Sequence, residues 1–230
     1  MTQAAEVVVH LVDLAAESAA VFRHEALLSR AERERAASFR FPADRRRYVC
    51  MHGRLREILS GGLRIPAQEL AFREGACGKP GLAGGPEFSI SASGDQGLIA
   101  VACVAVGVDI EAVDGRKFAP EMIGEAFGPQ EREAFSRGDP AEAFFSGWVR
   151  KESVVKALGS GLSLPLKLVD AHLDRESFIS VHGGRRWYTC DLEGCGPGYR
   201  AALTVACPAR PPAVELRNRR EEEPLHDQRP

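Results

Sequence analysis

The stretch "GLIAVACVAVGVDIE", residues 97–111, is an apolar β pattern that ends in two acidic residues. Its small and β-branched residues are typical of a strand buried on both faces. Side chains alternate along a strand, so we expect Asp109 and Glu111 to share a face while Ile110 points away. A strand that becomes polar at the surface would explain this pair. The alternative is a hard divalent cation between the carboxylates, because such cations prefer oxygen ligands.

Strand and helix patterns alternate on either side of this stretch. Strands are predicted at "EVVVHLVDL" (6–14), "EFSIS" (87–91), "KLVDAHL" (167–173), "SFISV" (177–181), "RRWYTCDL" (185–192) and "YRAALTV" (199–205). The longest predicted helices are "ADRRRYVCMHGRLREIL" (43–59) and "PAEAFFSGWVRKESVVKAL" (140–158). The order predicts an α+β fold of two halves, residues 1–105 and 106–207. The tail at 208–230 is rich in Pro, Arg and Glu, which predicts disorder.

Composition narrows the class of protein. The chain has 230 residues, of which 44% are hydrophobic and 27% charged, a profile typical of soluble globular proteins. The formal net charge of −2 gives no overall field that favours nucleic acid, and any anion site must be local. There is no membrane-length apolar run and no secretory signal pattern. The six cysteines form no Cys-x-x-Cys pair, so we predict buried reduced thiols and a cytoplasmic protein.

The predicted helix that precedes Gly159 carries charge on its apolar side. At about 100° per residue, Lys151 falls within the apolar arc and Glu152 at its edge. Glu152 and Lys156 are spaced i, i+4, which suits a surface ion pair. That pair leaves Lys151 unexplained, because an unpaired charge among apolar residues is costly. Lys151 either extends to solvent along its stem or faces a buried anion.

Taken together, the strand and the helix suggest one site. They would supply the carboxylates of Asp109, Glu111 and Glu152 and the ammonium groups of Lys151 and Lys156. Carboxylates suit a metal ion and lysines suit phosphate, so this combination indicates a phosphate ligand bridged by a metal.

The same two segments resemble a known family. "GVDIE" at 107–111 followed by "WVRKESVVKALGSGLSLPL" at 148–166 resembles the signature of the 4′-phosphopantetheinyl transferases of the Sfp type. "FRFPADRRRY" at 39–48, "GKP" at 78–80 and "FSISASG" at 88–94 extend the resemblance, which covers roughly residues 29–206. It implies two similar α+β halves in a pseudo-two-fold arrangement, with the active site at their interface.

The resemblance implies roles for individual residues. Magnesium, or manganese, would be held by Asp109, Glu111 and Glu152. Glu152 and Lys156 would be catalytic. Coenzyme A, the co-substrate, would be bound by Arg35, Arg47, Lys79, Pro80, Ser91, Ser93, Lys151 and Lys156, with both Arg47 and Lys79 at its nucleotide end. Two positions depart from the family. Ala92 stands where a histidine usually contacts the 3′-phosphate, and Ser89 replaces the usual asparagine.

The implied activity is transfer of 4′-phosphopantetheine from coenzyme A to a serine of an acyl or peptidyl carrier protein, with release of 3′,5′-ADP. The expected partners are acyl or peptidyl carrier proteins or the carrier domains of polyketide or peptide synthases. Secondary metabolite biosynthesis is the expected role, and fatty acid synthesis stays open as the pathway. A monomer is expected, without nucleic-acid or membrane partners. Two alternatives stay open: a degenerate homologue that binds coenzyme A or carrier protein without useful turnover, and a different metal-dependent phosphate-transfer or hydrolytic enzyme.

Overall fold

The computed structural model describes residues 6–116, 118–136, 138–207 and 211–218. The strands are β1 (Glu6–Asp13), β2 (Phe72–Glu74), β3 (Pro80–Leu82), β4 (Glu87–Ser93), β5 (Gln96–Ala102), β6 (Val106–Ala112), β7 (Ser177–His182), β8 (Arg185–Asp191), β9 (Tyr199–Ala206) and β10 (Ala213–Asn218). The α-helices are α1 (Val21–Leu27), α2 (Arg30–Ala37), α3 (Pro42–Leu63), α4 (Pro120–Ala126), α5 (Pro129–Arg132) and α6 (Pro140–Leu158).

Two four-stranded sheets carry the fold. The first has the order β10-β1-β5-β4 and the second has the order β6-β9-β8-β7. Helix α3 packs its apolar side, including Met51 and Leu55, on the first sheet, while α6 crosses β6 and β9 of the second. Each half therefore combines a sheet with one long helix, and the predicted α+β class with two similar halves is confirmed.

The stretch at residues 97–111 forms two strands rather than the single strand predicted. β5 pairs with β1 and β4 in the first sheet, whereas β6 pairs with β9 in the second. Residues 103–105 interrupt the strand pattern between them. Apolar composition alone could not mark this break, because both strands contribute to the same buried cluster, with Leu98 from β5 and Val108 from β6.

The segment predicted as a disordered tail contains a strand. β10 pairs in parallel with β1, from Glu6 opposite Ala213 to Leu11 opposite Asn218. Val214 and Leu216 pack against the core shared by the two sheets, so the prediction of disorder is wrong for residues 213–218. The physical reason is that β1 offers an edge whose backbone groups can pair, which tail composition does not reveal. Residues 208–210 and 219–230 lie outside the described residues.

The structure also tests the predictions about membrane spans and cysteines. No helix in the described ranges is both long and apolar enough to cross a membrane. All six cysteines are free. Cys50, Cys195 and Cys207 are buried as expected, but Cys77 and Cys103 are exposed, so burial does not hold for every thiol.

Candidate active site

A cleft of about 820 Å³ opens where the two halves meet. Helix α3 and strand β4 line it from the first half, and β6 and α6 line it from the second. The side chains of Asp109, Glu111, Glu152 and Lys156 all line this cleft. Tertiary structure thus brings together four predicted site residues that lie up to 47 positions apart in the chain.

Strand β6 places its two acidic side chains toward β4. Asp109 is buried, with 3% of its surface exposed, and its Oδ1 accepts hydrogen bonds from Lys156 Nζ at 2.6 Å and Ser91 Oγ at 2.7 Å. Glu111 is half-buried, and its Oε2 accepts from Ser93 Oγ at 2.7 Å. Burial raises the pKa of Asp109, and the neighbouring Lys156 ammonium opposes that rise. The alternation predicted for this strand is therefore what turns both carboxylates toward the cleft.

Helix α6 approaches β6 closely because of a glycine. A Cβ on Gly107 would lie 2.1 Å from the carbonyl oxygen of Ser153 and 2.3 Å from the backbone nitrogen of Ala157. No side chain fits between the helix backbone and the strand at this point. Gly107 therefore allows Glu152 and Lys156, which directly precede these two contact residues in α6, to reach the acidic end of β6.

The carboxylates of the cleft influence one another. Burial raises the pKa of Glu152, the charges of Asp109 and Glu111 raise it further, and Lys156 lowers it. Neighbouring carboxylates disfavour each other's ionised form. A cation bound in the cleft would therefore stabilise the ionised forms of these carboxylates.

A second groove, of about 520 Å³, continues from the first cleft. Both cavities share Trp148, Glu152 and Lys156, so these residues lie where the two spaces join. The groove is mainly apolar, with Val155 and Leu164 among its lining residues. Together the two cavities form one long path past the charged residues.

The structure separates Lys79 from Arg47, which were predicted to contact the same end of coenzyme A. Lys79 and Pro80 line the second groove, and Lys79 Nζ donates to the carbonyl oxygen of Val106 at 2.8 Å. Burial lowers the pKa of Lys79. Arg47 lines the first cleft and pairs with Asp95 at 3.0 Å. Because Arg47 and Lys79 line different cavities, their positions do not support contact with the same end of coenzyme A.

Other predicted coenzyme A residues differ in their access to the cleft. Ser91 and Ser93 line it, and Ala92 between them is exposed and lines it as well. Arg35 is exposed on α2 and lies over the ring of Phe39, 5.2 Å from its centroid. Phe39 lines the cleft, so Arg35 lies behind the rim.

Lys151 corrects one prediction. Its side chain is fully buried, and its Nζ donates to Glu131 Oε2 at 2.8 Å, to the carbonyl oxygen of Leu166 at 3.2 Å and to that of Val169. The ammonium therefore does not face the cleft that contains Lys156, and a pyrophosphate contact there is wrong. The anion that Lys151 faces belongs to the protein itself. Residues 167–173, predicted as a strand, form none. Lys167 and Leu168 belong to the 3₁₀ helix Leu166–Leu168, and residues 169–173 are turn or irregular backbone.

Of the cleft-facing residues of α3, sequence reasoning identified only Arg47. The rings of Tyr48 and His52 stack with centroids 4.0 Å apart, and His52 Nδ1 lies 3.5 Å from Glu32 Oε1. Five residues of α3 line the cleft at spacings of i, i+3, i+4, i+7 and i+8: Asp44, Arg47, Tyr48, Met51 and His52. This helical period was available in the sequence and would have predicted the face.

Comparison with known proteins identifies the family. The family model described as the 4′-phosphopantetheinyl transferase superfamily matches residues 105–204, which contain β6, α6 and most of β9. A Synechocystis sp. protein assigned as a 4′-phosphopantetheinyl transferase is 30% identical over 170 residues, covering 70% of this chain and 69% of that protein. The 4′-phosphopantetheinyl transferase Sfp of Bacillus subtilis is 25% identical over 201 residues, covering 84% and 89%.

A solved Thermotoga maritima holo-[acyl-carrier-protein] synthase aligns with a TM-score of 0.33 and 18% identity, covering 46% of this chain and 65% of that one. The sequence relatives span most of the present chain, and the matched region contains the acidic strand and the charged helix of the cleft. The chain belongs to the 4′-phosphopantetheinyl transferase superfamily.

Proposed function

We propose that this protein transfers the 4′-phosphopantetheine group of coenzyme A to a serine hydroxyl of an acyl or peptidyl carrier protein and releases 3′,5′-ADP. The observation that carries the proposal is the meeting of Asp109, Glu111, Glu152 and Lys156 in one cleft between the halves. Family membership supports the same reaction, since the Bacillus subtilis and Synechocystis relatives bear that activity in their names.

A divalent cation, magnesium or manganese, fits the chemistry of the donor set. Asp109 Oδ2 is buried and has no hydrogen-bond partner among the described residues. An unpaired buried carboxylate oxygen is costly, and a hard cation would satisfy it. As the side chains stand, no three His, Cys, Asp or Glu residues in the described ranges are grouped closely enough to hold a metal. We therefore propose Asp109, Glu111 and Glu152 as ligands that gather only around the ion.

Lys156 is the cation that the chain itself supplies beside these carboxylates. Its side chain is about a third exposed, and its ammonium already bonds Asp109 Oδ1 and Ser91 Oγ, so its direction in the cleft is fixed. We propose that it contacts the pyrophosphate of coenzyme A and stabilises the leaving phosphate. The bound cation, for its part, would neutralise negative charge on the pyrophosphate.

Glu152 lies where the two cavities join. We propose that it accepts the proton of the carrier serine, directly or through a water molecule. The serine oxygen then bonds to the phosphorus nearest pantetheine, and the bond from that phosphorus to the bridging oxygen of 3′,5′-ADP breaks. The proton remains on Glu152 or its water, and the leaving phosphate keeps the bond's electron pair.

Coenzyme A would extend along the path formed by the two cavities. Arg47 in the first cleft and Lys79 with Pro80 in the second groove are proposed contacts at separate points of the ligand. Arg35 is at most a rim residue.

The carrier partner is proposed on family grounds. The sequence between Glu111 and Trp148 suggests Met122, Ile123 and Phe127 as apolar docking candidates, but Phe127 is fully buried in the aromatic cluster with Phe144. Met122 and Ile123 are partly buried against the same cluster. The carrier domain of a polyketide or peptide synthase remains the proposed substrate, and a monomeric, cytoplasmic enzyme of secondary metabolism remains a prediction.

The test is to incubate the protein with an apo-carrier protein, coenzyme A and magnesium, and then to weigh the carrier by mass spectrometry. A phosphopantetheine mass gain supports the proposal. Binding of coenzyme A or carrier without that gain would favour the degenerate homologue, an alternative motivated by Ala92. Hydrolysis of coenzyme A without carrier modification would favour a different phosphate-transfer or hydrolytic enzyme.

Ala92 provides a separate prediction about ligand affinity. Ala92→His adds a donor on an exposed cleft position, where the family resemblance implies a contact with the 3′-phosphate. A charge-assisted bond is typically worth about 1.5–3 kcal/mol, so coenzyme A should bind about 10-fold tighter or better. Dephospho-coenzyme A, which lacks that phosphate, should change little in the same calorimetric titration. Equal gains for both ligands would place residue 92 away from the 3′-phosphate.

A further inference from the structure

The two sheets meet at their edges through serine hydroxyls. β4 is the last strand of the first sheet and β6 is the first strand of the second, and the two are not paired through their backbones. Serines at every second position of β4 accept backbone N–H groups of β6 instead. The donor–acceptor pairs are Val108 N to Ser89 Oγ at 3.1 Å, Ile110 N to Ser91 Oγ at 3.4 Å and Ala112 N to Ser93 Oγ at 3.1 Å. We call these three serines the serine ladder.

The ladder fixes the direction of the remaining hydrogen bonds. A hydroxyl has one hydrogen to donate and two lone pairs to accept with. Ser91 Oγ accepts from Ile110 N and from Lys156 Nζ at 3.0 Å, so its hydrogen is left for Asp109 Oδ1 at 2.7 Å. The hydroxyl cannot turn away without giving up a bond at the edge of β6.

Ser93 repeats the arrangement one step along the strand. Its Oγ accepts from Ala112 N and donates to Glu111 Oε2 at 2.7 Å. Ser89 occupies the third position of the ladder, is 5% exposed, and supports the backbone at Val108. Two of the three serines therefore bond carboxylates of the proposed site, whereas Ser89, on the same face of β4, has no acidic hydrogen-bond partner among the described residues.

We propose that Ser91 and Ser93 are positioning residues, which orient the Asp109 and Glu111 carboxylates for a divalent cation, rather than contacts for coenzyme A. The inference rests on the proposed function for the identity of the cation site. Groups that hydrogen-bond metal ligands typically contribute about 10–100-fold to metal affinity, because they fix the orientation of each ligand. The same serines connect β4 of the first sheet to β6 of the second. The orientation of the two carboxylates therefore depends on how the two sheets pack together.

The experiment compares variants at one position. Ser93→Thr keeps a hydroxyl, whereas Ser93→Val has nearly the same shape as threonine but lacks the hydroxyl. Ser89→Ala is the matched control from the same ladder. Mn²⁺ is the probe, and its binding to each full-length variant is followed directly by electron paramagnetic resonance, with and without coenzyme A. Thermal unfolding of each variant verifies that it is folded.

We expect Ser93→Val to raise the Kd for Mn²⁺ about 10-fold or more, and Ser93→Thr to stay near the unaltered protein. Ser89→Ala should lower the Tm slightly and leave the Kd unchanged. The proposal is overturned if the valine and threonine variants bind Mn²⁺ equally, if Ser89→Ala weakens binding as much, or if the unaltered chain does not bind Mn²⁺. Failure of the unaltered chain to modify a carrier, with this Mn²⁺ pattern intact, would instead refute the transferase function alone.

Discussion

Glu152→Gln is expected to lower the rate of phosphopantetheinyl transfer by about 10²-fold or more, while the protein stays folded. Glutamine preserves the shape of the side chain but cannot accept the serine proton and is a weaker cation ligand. Folding should not suffer, because burial and the charges of Asp109 and Glu111 already disfavour the ionised Glu152. The measurement is the initial rate of carrier mass gain at saturating coenzyme A, together with the Tm.

The matched control is Glu142→Gln on the same helix. Glu142 forms an ion pair with Arg200, and both side chains are 40% exposed. An exposed pair of this kind contributes at most about 1 kcal/mol, so this variant should transfer at the normal rate. Near-normal turnover by the Glu152 variant would refute its role as both ligand and base.

Lys151→Met is expected to lower the free energy of unfolding by about 3–5 kcal/mol, the typical result of removing one partner of a buried ion pair. The change leaves Glu131, whose side chain is only 9% exposed, and two carbonyl groups without their cation. Urea unfolding at neutral pH measures the loss. Molecules that remain folded should bind coenzyme A with unchanged affinity, because the ammonium does not line the cleft.

The double variant Lys151→Met with Glu131→Gln keeps the comparison informative even if the single variant fails to fold. It buries no unpaired charge, so it should recover part of the lost stability, and the two changes should be strongly non-additive. If Lys151→Met has normal stability but loses coenzyme A binding, the structural role of Lys151 is contradicted. That result would instead support a contact between Lys151 and the pyrophosphate.

The contrast between Lys151 and Lys156 shows how far helical geometry could predict this site. Five residues at about 100° each separate the two side chains by about 140°, so they could not both face one cleft easily. The sequence left two outcomes open for a lysine in the apolar arc, extension to solvent or a buried anion, and the structure shows the second. The sequence did not indicate which anion, because Glu131 is 20 residues away and its approach depends on the packing of α5.

The stretch at residues 97–111 shows a similar division. Its alternation predicted that Asp109 and Glu111 share a face, and the structure has both carboxylates bonded to β4. Its continuous apolar character also predicted one strand, whereas β5 and β6 belong to different sheets. The local sequence pattern indicates burial and periodicity. It does not indicate which strand a given strand pairs with, because that partner is distant in the sequence.

By itself, the sequence determined the residue types of the site, their periodicity on strand and helix, and a signature that places the chain in its family. Only the tertiary structure decided the rest: the join of the sheets through the serine ladder, the strand at Ala213–Asn218 that completes the first sheet, and the internal partner of Lys151. The physical reason is common to all three. Each depends on an edge or a charge supplied by a distant segment, and such partners are selected by the packing of the whole chain rather than by neighbouring residues.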